Sequence, residues 1–192
     1  MKGIVFNLLE ELVRRDFGED TWDDLLDAAQ VDGAYTSLGS YPDTDLQRLV
    51  TVASQRLRLS PETIVRWLGR ESIPVLAARY PGFFRPHTET SSFLLSLNDI
   101  IHPEVRKLYP GADVPVFDFD LSHAPEIRMR YDSHRRMCSF AEGLIEGSAH
   151  YFREQVEMHQ ASCMHRGDTS CHFHIRFSPG VRAPASAGAG PE

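Results

Sequence analysis

The sequence predicts an α+β fold, in which a helical N-terminal lobe precedes a lobe built on a four-stranded antiparallel sheet with one helix. Two observations support this. Apolar residues recur every three or four positions in the first half, as in amphipathic helices, whereas several later segments alternate apolar and polar residues, as in strands. The order of the later elements is strand, strand, helix, strand, strand. That order, after a run of helices, favours an antiparallel sheet.

Length and composition indicate one globular domain. Of the 192 residues, 42% are hydrophobic and 24% are charged, as in ordinary globular proteins. We predict a single domain over residues 1–178, with the helical lobe at about 1–60 and the α/β lobe at about 61–178. Residues 179–192 are rich in Ala, Gly and Pro, which predicts a disordered tail.

The charge balance argues against nucleic acid as a partner. The chain has 20 basic and 27 acidic residues, a net charge of −7, and no long basic run to bind a phosphate backbone. No segment is apolar enough to span a membrane, and the first residues lack the features of a secretory signal. We therefore expect a cytoplasmic protein without a membrane segment, whose 3 cysteines do not form a disulfide framework.

Helices are predicted through the first half. The first covers Gly3–Arg15, and Thr21 is the expected N-cap of the second. The third opens at Thr44 or Asp45. Ser60, followed by a proline, marks the start of a short fourth helix, because proline is favoured at the first helical position.

Two prolines limit the helices that follow. Pro74 is tolerated only in a first turn, so a separate helix is predicted to begin near it. Another helix is expected to begin at Thr90 or Ser91 and to reach His102. Because Pro103 disfavours helical backbone at the residue before it, the helix is expected to bend or stop at His102.

The second half is predicted to hold the sheet. The expected elements are strands at Val114–Leu121 and Ile127–Met137, a helix that carries Phe140 and Phe152, and strands at Gln155–Met164 and Ser170–Phe177. The last two strands are joined by a turn at Arg166–Asp168.

Tyr131, Ser133 and Arg135 are predicted to share one face of the second strand, because residues two apart point the same way. They offer a phenol, a hydroxyl and a guanidinium as donors, between the apolar Met129 and Met137. Such a face suits a ligand with an apolar body and anionic ends, and a heme with its propionates is one example. The alternative is a strand that enters solvent, with Arg135 in a surface ion pair.

His102 is a candidate axial ligand of heme iron. Iron in heme commonly binds a neutral imidazole, and a histidine at the end of an apolar helix is placed to reach into a pocket. The alternative is a partly buried histidine bonded to a nearby carbonyl.

Three cysteines and one histidine form a candidate zinc site. Cys163 and Cys171 flank the turn of the last hairpin, which brings two thiols close. Cys138 begins the preceding helix, and His159 lies four residues before Cys163, on the same strand and with the same parity, so regular alternation places both on one face. The competing histidine ligands are His165, His172 and His174. The alternative is that the cysteines are buried and never meet.

Taken together, these residues resemble the heme nitric oxide/oxygen binding (H-NOX) family. The resemblance extends from Met1 to about Phe177. Its most specific element is Tyr131-x-Ser133-x-Arg135, which is similar to the family's propionate-binding signature. The other matching features are His102, Pro115 and the segment Gly143–Ser148.

The resemblance implies a heme b between the two lobes. His102 corresponds to the proximal iron ligand, and Pro115 to the proline that presses on the porphyrin and distorts it. Ile4 and Leu144 correspond to apolar positions of the distal wall.

The preferred gas is inferred from Phe140. Members of the family that hold oxygen have a tyrosine at this position, and a phenyl ring cannot donate the hydrogen bond that bound oxygen needs. Tyr151, two turns later on the same helix, stays open as a replacement. The resemblance therefore implies a sensor that binds nitric oxide, and also carbon monoxide, at a five-coordinate ferrous heme.

The resemblance also implies a sensor that is not an enzyme and that signals to a separate protein, a histidine kinase or a cyclic-di-GMP enzyme. No hydrolytic or phosphate-binding motif is present. The alternative function is a zinc or thiol redox-sensing module. Some bacterial members have a zinc site of three cysteines and one histidine here, with the histidine three residues before the cysteine that matches Cys163, whereas His159 lies four before it.

Overall fold

The helical first half and the sheet of the second half are both present in a computed structural model of the protein, which describes residues 1–180. The helices of the first half are α1 (Gly3–Phe17), α2 (Glu19–Ala29), α3 (Asp43–Leu57), α4 (Pro61–Arg79), α5 (Pro81–Phe84), α6 (Thr90–Leu95) and α7 (His102–Leu108), with a π-helical turn at Leu97–Ile101. The second half contains β1 (Val116–Asp120), β2 (Ile127–Asp132), α8 (Cys138–Tyr151), β3 (Glu154–Ser162), a 3₁₀ turn (Met164–Arg166) and β4 (Cys171–Pro179).

The four strands form one antiparallel sheet in the order β1-β2-β4-β3, which confirms the predicted fold class. One face of the sheet is buried: Met129, Phe173 and Ile175 belong to the same apolar cluster as Ile145 of α8. Residues of the opposite parity on the central strands, such as His172, are exposed. The sheet therefore has one face toward the core and one toward solvent, with β1 at an edge.

Buried apolar residues form two clusters, one for each part of the chain. Helix α4 contributes to both, because Ile64 and Leu68 pack in the first cluster and Ile73 and Ala77 in the second. The domain limits and the lobe boundary near residue 60 stay predictions. The long helix α4 links the two clusters.

Helix α4 continues through Pro74, so the predicted break there is wrong. Proline lacks the N–H that would donate to the carbonyl of Arg70, four residues earlier. That carbonyl lies against α8 at Gly147, where an added Cβ would come within 2.4 Å of the Arg70 oxygen. A Cβ on Gly143 would likewise lie 2.0 Å from the carbonyl oxygen of Arg66. Close backbone contact with α8 thus supports α4 across the proline.

The chain also remains helical at His102, where the sequence predicted a bend or stop. His102 has φ −64° and ψ −39°, and α7 begins with it. The turn before it is widened: the carbonyl of Ser96 accepts from the N–H groups of both Ile100 and Ile101, at 2.9 and 3.1 Å. This wider turn makes room for the ring of Pro103, which would otherwise clash with the preceding turn.

Strand β2 ends at Asp132, well before the predicted end at Met137. Ser133 and Arg135 therefore lie in a turn and not on the strand. The N–H of Arg136 donates to the Ser133 carbonyl at 3.0 Å, and the N–H of Arg135 donates to the Ser133 hydroxyl at 3.3 Å. A serine side chain that bonds the following backbone favours a turn over a strand.

Two smaller predictions differ from the structure. Thr21 does not cap α2 but lies inside it, where its hydroxyl donates to the carbonyl of Phe17 at 2.8 Å. Pro179 pairs with Glu154 in the sheet, so the predicted tail does not begin there, and residues 181–192 of that tail lie outside the described residues. In the part of the chain that the structure describes, no helix combines the length and apolar character needed to cross a membrane.

Candidate functional site

A cavity of about 490 Å³ lies between the first-half helices and the sheet. Its wall is mostly apolar, and α1, α4, α6, α7, α8, β1 and β2 all contribute to it. It is lined by every residue that the sequence assigned to heme: Ile4, His102, Pro115, Tyr131, Ser133, Arg135, Phe140 and Leu144. The volume is within the range of roughly 300–1,000 Å³ typical of cofactor pockets. The fold therefore brings these dispersed residues to one place.

His102 meets the cavity from the start of α7. Its ring is half-buried, and the ring centroid lies 5.7 Å from that of Phe117. Burial, together with the charge of Arg106, lowers the pKa of His102 to about 4, and a hydrogen bond with the backbone of Pro115 opposes this shift only in part. Because the proline backbone offers only a carbonyl, the ring donates to it, which leaves the other ring nitrogen with a lone pair. A neutral imidazole in this state is the form that binds heme iron.

The phenol of Tyr131 is held by the turn that follows β2. The side chain is buried, and its oxygen accepts the N–H of Met137 at 3.1 Å. Burial raises the pKa of Tyr131, so the phenol keeps its proton near neutral pH. Since the backbone bond uses only the oxygen, the O–H stays able to donate, and Ser133 lines the cavity beside it.

Arg135 is fixed at the cavity wall by two carboxylates. Its Nε donates to Asp43 at 2.9 Å, and its Nη1 donates to the carboxylate and the carbonyl of Asp113, both at 2.8 Å. Burial alone would raise the pKa of Asp43, but the N-terminal ammonium at 2.6 Å and Arg135 lower it below its usual range. The predicted ion pair of Arg135 is thus present, but on the wall of a cavity.

Sequence reasoning missed both acidic partners. Asp43 and Asp113 are separated from Arg135 by 92 and 22 residues, so no local spacing connects the three. Only the fold brings them together.

The α8 side of the cavity is apolar. Phe140 and Leu144 of α8 and Ile4 of α1 line it. Ser148 also lines the cavity, but its hydroxyl already donates to the carbonyl of Leu144 at 2.7 Å. Tyr151, the residue that the sequence left open, is 41% exposed and is not part of the lining. No α8 tyrosine therefore replaces the donor that Phe140 lacks.

Two tyrosines of the wall were not predicted. Tyr80 follows α4 and Tyr109 follows α7, and their hydroxyls are hydrogen-bonded to each other. Burial raises the pKa of Tyr109 to about 12. The sequence did carry a signal for the pair, since each tyrosine begins a Tyr-Pro-Gly triplet that ends a helix.

The chemistry of this lining fits a heme. A neutral imidazole with a free nitrogen can bind iron, apolar side chains can surround a porphyrin, and a phenol, a hydroxyl and a guanidinium can bind propionates. His102, Tyr131, Ser133 and Arg135 supply these groups in one cavity.

The cysteines converge at a second place. The sulfur atoms of Cys138, Cys163 and Cys171 all lie within 4.8 Å of one another, and all three side chains are buried. The sulfurs of Cys138 and Cys163 are 3.8 Å apart. Burial raises the pKa of Cys138 to about 12; at Cys163, burial is outweighed by hydrogen bonds that include the N–H of His165, so its pKa is lowered. The predicted cluster of thiols is present.

His159 is not part of that cluster, so its assignment as the fourth zinc ligand is wrong. It pairs with His174 across β3 and β4, on the solvent face, with ring centroids 6.3 Å apart. Cys171 lies on the buried face of β4. The sequence prediction assumed unbroken alternation, but a bulge between Gln160 and Ser162 changes the face of the residues that follow.

Gln160 occupies the position three residues before Cys163, where the resemblance implied a histidine. Its Nε2 is buried and has no hydrogen-bond partner among the described residues. Of the competing histidines, His165 shares a hydrogen-bond acceptor with Cys138: its Nε2 lies 2.6 Å from the carbonyl of Arg136, which also accepts from the Cys138 thiol at 4.0 Å. It does not belong to the group whose ligand atoms lie within 4.8 Å of one another. His172 and His174 lie on the β4 side that points away from the thiols.

Comparisons with known proteins identify the family of the chain. The profile of a family described as Haem-NO-binding matches residues 2–160. An H-NOX protein from S. oneidensis, solved in the Fe(II)NO ligation state, is 34% identical, with 93% of this chain and 99% of that chain covered and a TM-score of 0.87. The H-NOX of Shewanella woodyi, solved with IWP-051 in the Fe(II)CO state, is 34% identical, with 98% of each chain covered and a TM-score of 0.78. An unliganded Fe(II) H-NOX protein from K. algicida is 28% identical, with 95% and 100% covered and a TM-score of 0.84. The chain therefore belongs to the Haem-NO-binding (H-NOX) family of heme-based gas-sensing domains.

Proposed function

We propose that this chain is a nitric oxide sensor that binds heme b in the cavity, takes carbon monoxide as a second ligand, and uses residues 1–178 as one domain. The observation that carries the proposal is a neutral His102 in the same cavity as the apolar α8 wall of Phe140 and Leu144. The first feature suits an iron ligand, and the second suits a gas that needs no hydrogen-bond donor.

Each side chain has a separate task in this proposal. A bound heme would supply the ferrous iron to which a diatomic gas coordinates. His102 binds it through the nitrogen that Pro115 leaves free, while the Pro115 carbonyl fixes the plane of the ring. Tyr131 and Ser133 donate to propionate oxygens, and Arg135 adds a fixed charge. Arg135 would divide its donors between a propionate and the carboxylates of Asp43 and Asp113.

The gas preference follows from donors at the α8 wall. Phe140 has none, and the hydroxyl of Ser148 is occupied by the carbonyl of Leu144. The Tyr80 and Tyr109 hydroxyls are hydrogen-bonded to each other, which uses one of their two O–H groups, and neither residue belongs to the α8 wall, because Tyr80 follows α4 and Tyr109 follows α7. Bound oxygen, which is polar, would therefore receive no hydrogen bond from the α8 wall, and nitric oxide and carbon monoxide do not require one.

The test is the absorption spectrum of the reduced protein after heme supply, recorded in air and then with nitric oxide. We expect a Soret band, no stable oxygen complex, and a change of the band when nitric oxide is added. His102→Ala should lose the band of the histidine-bound form, and His150→Ala, at an exposed histidine of α8, should keep it. Absence of any Soret band would contradict heme binding, and a stable oxygen complex would contradict the gas preference.

We also propose that the output is a separate histidine kinase or cyclic-di-GMP enzyme, and that the chain itself is not an enzyme. The support is the family resemblance. The test is the activity of each purified candidate enzyme with the protein added, with and without nitric oxide. An effect of the gas that is equal without the protein would contradict the proposal.

A second candidate function is favoured by the thiols. We propose that Cys138, Cys163 and Cys171 bind zinc, because their sulfur atoms already lie within 4.8 Å of one another. Metal analysis without chelators should find about one equivalent of zinc. Finding none would contradict this. If Cys138→Ala abolishes signalling and His102→Ala does not, the thiols and not the heme carry the signal.

A further inference from the structure

We propose that Asn98 is a positioning residue for His102: its side-chain amide fastens the π-helical turn before His102 to the free edge of the sheet at Phe117. The inference rests on the proposed role of His102 as the iron ligand.

The Asn98 amide makes two hydrogen bonds to one residue of β1. Its Nδ2 donates to the carbonyl of Phe117, and its Oδ1 accepts the N–H of Phe117 at 3.3 Å. Phe117 faces Tyr131 of β2, and β1 is an edge strand, so these two backbone groups point away from the sheet. The Asn98 amide thus acts in place of the peptide group of a further strand.

The contact fixes residues on both sides of His102. Phe117 is buried, and its ring centroid lies 5.7 Å from that of His102 and 5.8 Å from that of Tyr131. Pro115, whose backbone accepts from the His102 ring, is two residues earlier on the same segment. Holding Phe117 in place therefore holds both the ring that packs on His102 and the carbonyl that orients it.

The turn departs from regular helical hydrogen bonding. The N–H groups of Ile100 and Ile101 share a single acceptor, the carbonyl of Ser96, and the N–H of His102 donates to the carbonyl of Leu97. Pro103 has no N–H, so it cannot bond back to the carbonyl of Asn98 or of Asp99. A turn of this kind has weak internal constraints, and a side-chain bond to a neighbouring strand supplies a fixed point.

The test compares Asn98→Leu, which has a similar size and no hydrogen bonds, with Asn98→Asp, which keeps the acceptor for the Phe117 N–H and loses the donor. The matched control is Asn7→Leu. Asn7 also joins a helix to a distant backbone carbonyl, that of Tyr35 at 2.8 Å, but it does not line the cavity. It reports the effect of losing such a bond elsewhere.

Three measurements follow. Hydrogen exchange of the Phe117 amide in heme-free protein should accelerate about tenfold in Asn98→Leu and less in Asn98→Asp. The ring signals of His102, read by NMR in the same protein, should shift or broaden in Asn98→Leu, because the Phe117 ring that packs against them at 5.7 Å is no longer held in place. The iron–histidine stretching band of the ferrous heme protein should shift or broaden in Asn98→Leu and stay unchanged in Asn7→Leu.

Each outcome has one reading. If hydrogen exchange at Phe117 is unchanged in Asn98→Leu, the Asn98 contact is not formed. If exchange is faster but the His102 ring signals are unchanged, the contact holds only strand β1. Either result overturns the proposal. Two of the measurements need no heme, so a protein that never binds heme would contradict the proposed function while the positioning role of Asn98 is still decided.

Discussion

The cavity and the cysteine cluster are both assembled from distant parts of the chain, yet the sequence anticipated them unequally. All residues assigned to heme line one cavity, whereas the cysteine cluster lacks its predicted histidine. The prediction of the cavity residues did not require an exact strand register, because most of them lie on helices or beyond the ends of strands. The fourth zinc ligand depended on strict alternation along β3, and one bulge next to Gln160 changed the exposed face. A site inferred from parity is only as reliable as the regularity of its strand.

The largest effect is expected at His102, the residue on which the proposed heme binding in the cavity depends. His102→Ala should weaken heme binding by about 100-fold or more, because no other imidazole lines the described cavity. The measurement is a heme titration followed by absorption.

The matched variant for this experiment is His150→Ala, at an exposed histidine of α8. It should leave the heme titration unchanged. Equal affinities for the two variants and the unaltered protein would mean that iron takes its ligand from elsewhere.

The sequence predicted most elements because their signals are local. The Ser60-Pro61 start of α4 is an example: the Ser60 hydroxyl accepts the N–H of Thr63 at 3.2 Å, as a helix cap should. The sequence prediction failed at Pro74 and before Pro103, where the local effect of proline predicted that the helix would be interrupted. At Pro74, glycines of α8 let the two backbones touch, and before Pro103 the helix widens into a π turn. Both features depend on the contacts and shape of the folded helix, which the presence of a proline in the sequence does not reveal.

The candidate site was predictable to the extent that its residues form a pattern. The spacing of Tyr131, Ser133 and Arg135 identified a set of donors, although two of the three lie in a turn rather than on the strand. The partners Asp43 and Asp113 left no such pattern, because ordinary acidic residues gain their role only from tertiary contact with Arg135.

The second prediction tests whether the cysteine cluster binds zinc with only three ligands. Gln160→His places an imidazole three residues before Cys163, at a position whose side-chain amide is buried without a hydrogen-bond partner among the described residues. Zinc affinity should rise by about tenfold to 100-fold, because an imidazole nitrogen would be a fourth ligand beside the three thiolates and would complete a tetrahedral site. The measurement is competition with a coloured chelator.

His159→Ala is the informative partner of that variant. Since His159 lies on the solvent face beside His174, its loss should not alter zinc affinity. A weaker affinity in His159→Ala would mean that this face of β3 reaches the thiols after all.

A smaller effect is expected at the apolar wall of the cavity. Phe140→Tyr adds a phenol where no donor is present, and one hydrogen bond of about 1 kcal/mol should slow oxygen dissociation about fivefold. The measurement is the absorption spectrum of the reduced protein in air. Phe83→Tyr, which adds the same group at a cavity residue outside α8, is the control, and equal oxygen binding by both variants would remove the special role of position 140.

The smallest effect concerns the carboxylate that holds Arg135 at the cavity wall. The Asp43 side chain is 33% exposed, so after allowance for solvent screening its ion pairs should contribute about 1 kcal/mol to the free energy of unfolding. Its pKa is lowered in the folded protein, so this contribution is fully present above the ordinary value of 3.8 and is lost as the pH falls through the lower, folded value. Denaturant unfolding should therefore give a constant difference between the unaltered protein and Asp43→Asn from pH 5 to pH 8, shrinking below about pH 3.8. Asp132→Asn, which removes the same charge from an exposed position at the end of β2, should show no comparable difference. A difference that persists unchanged at low pH would mean that Asp43 acts through packing and not through its charge.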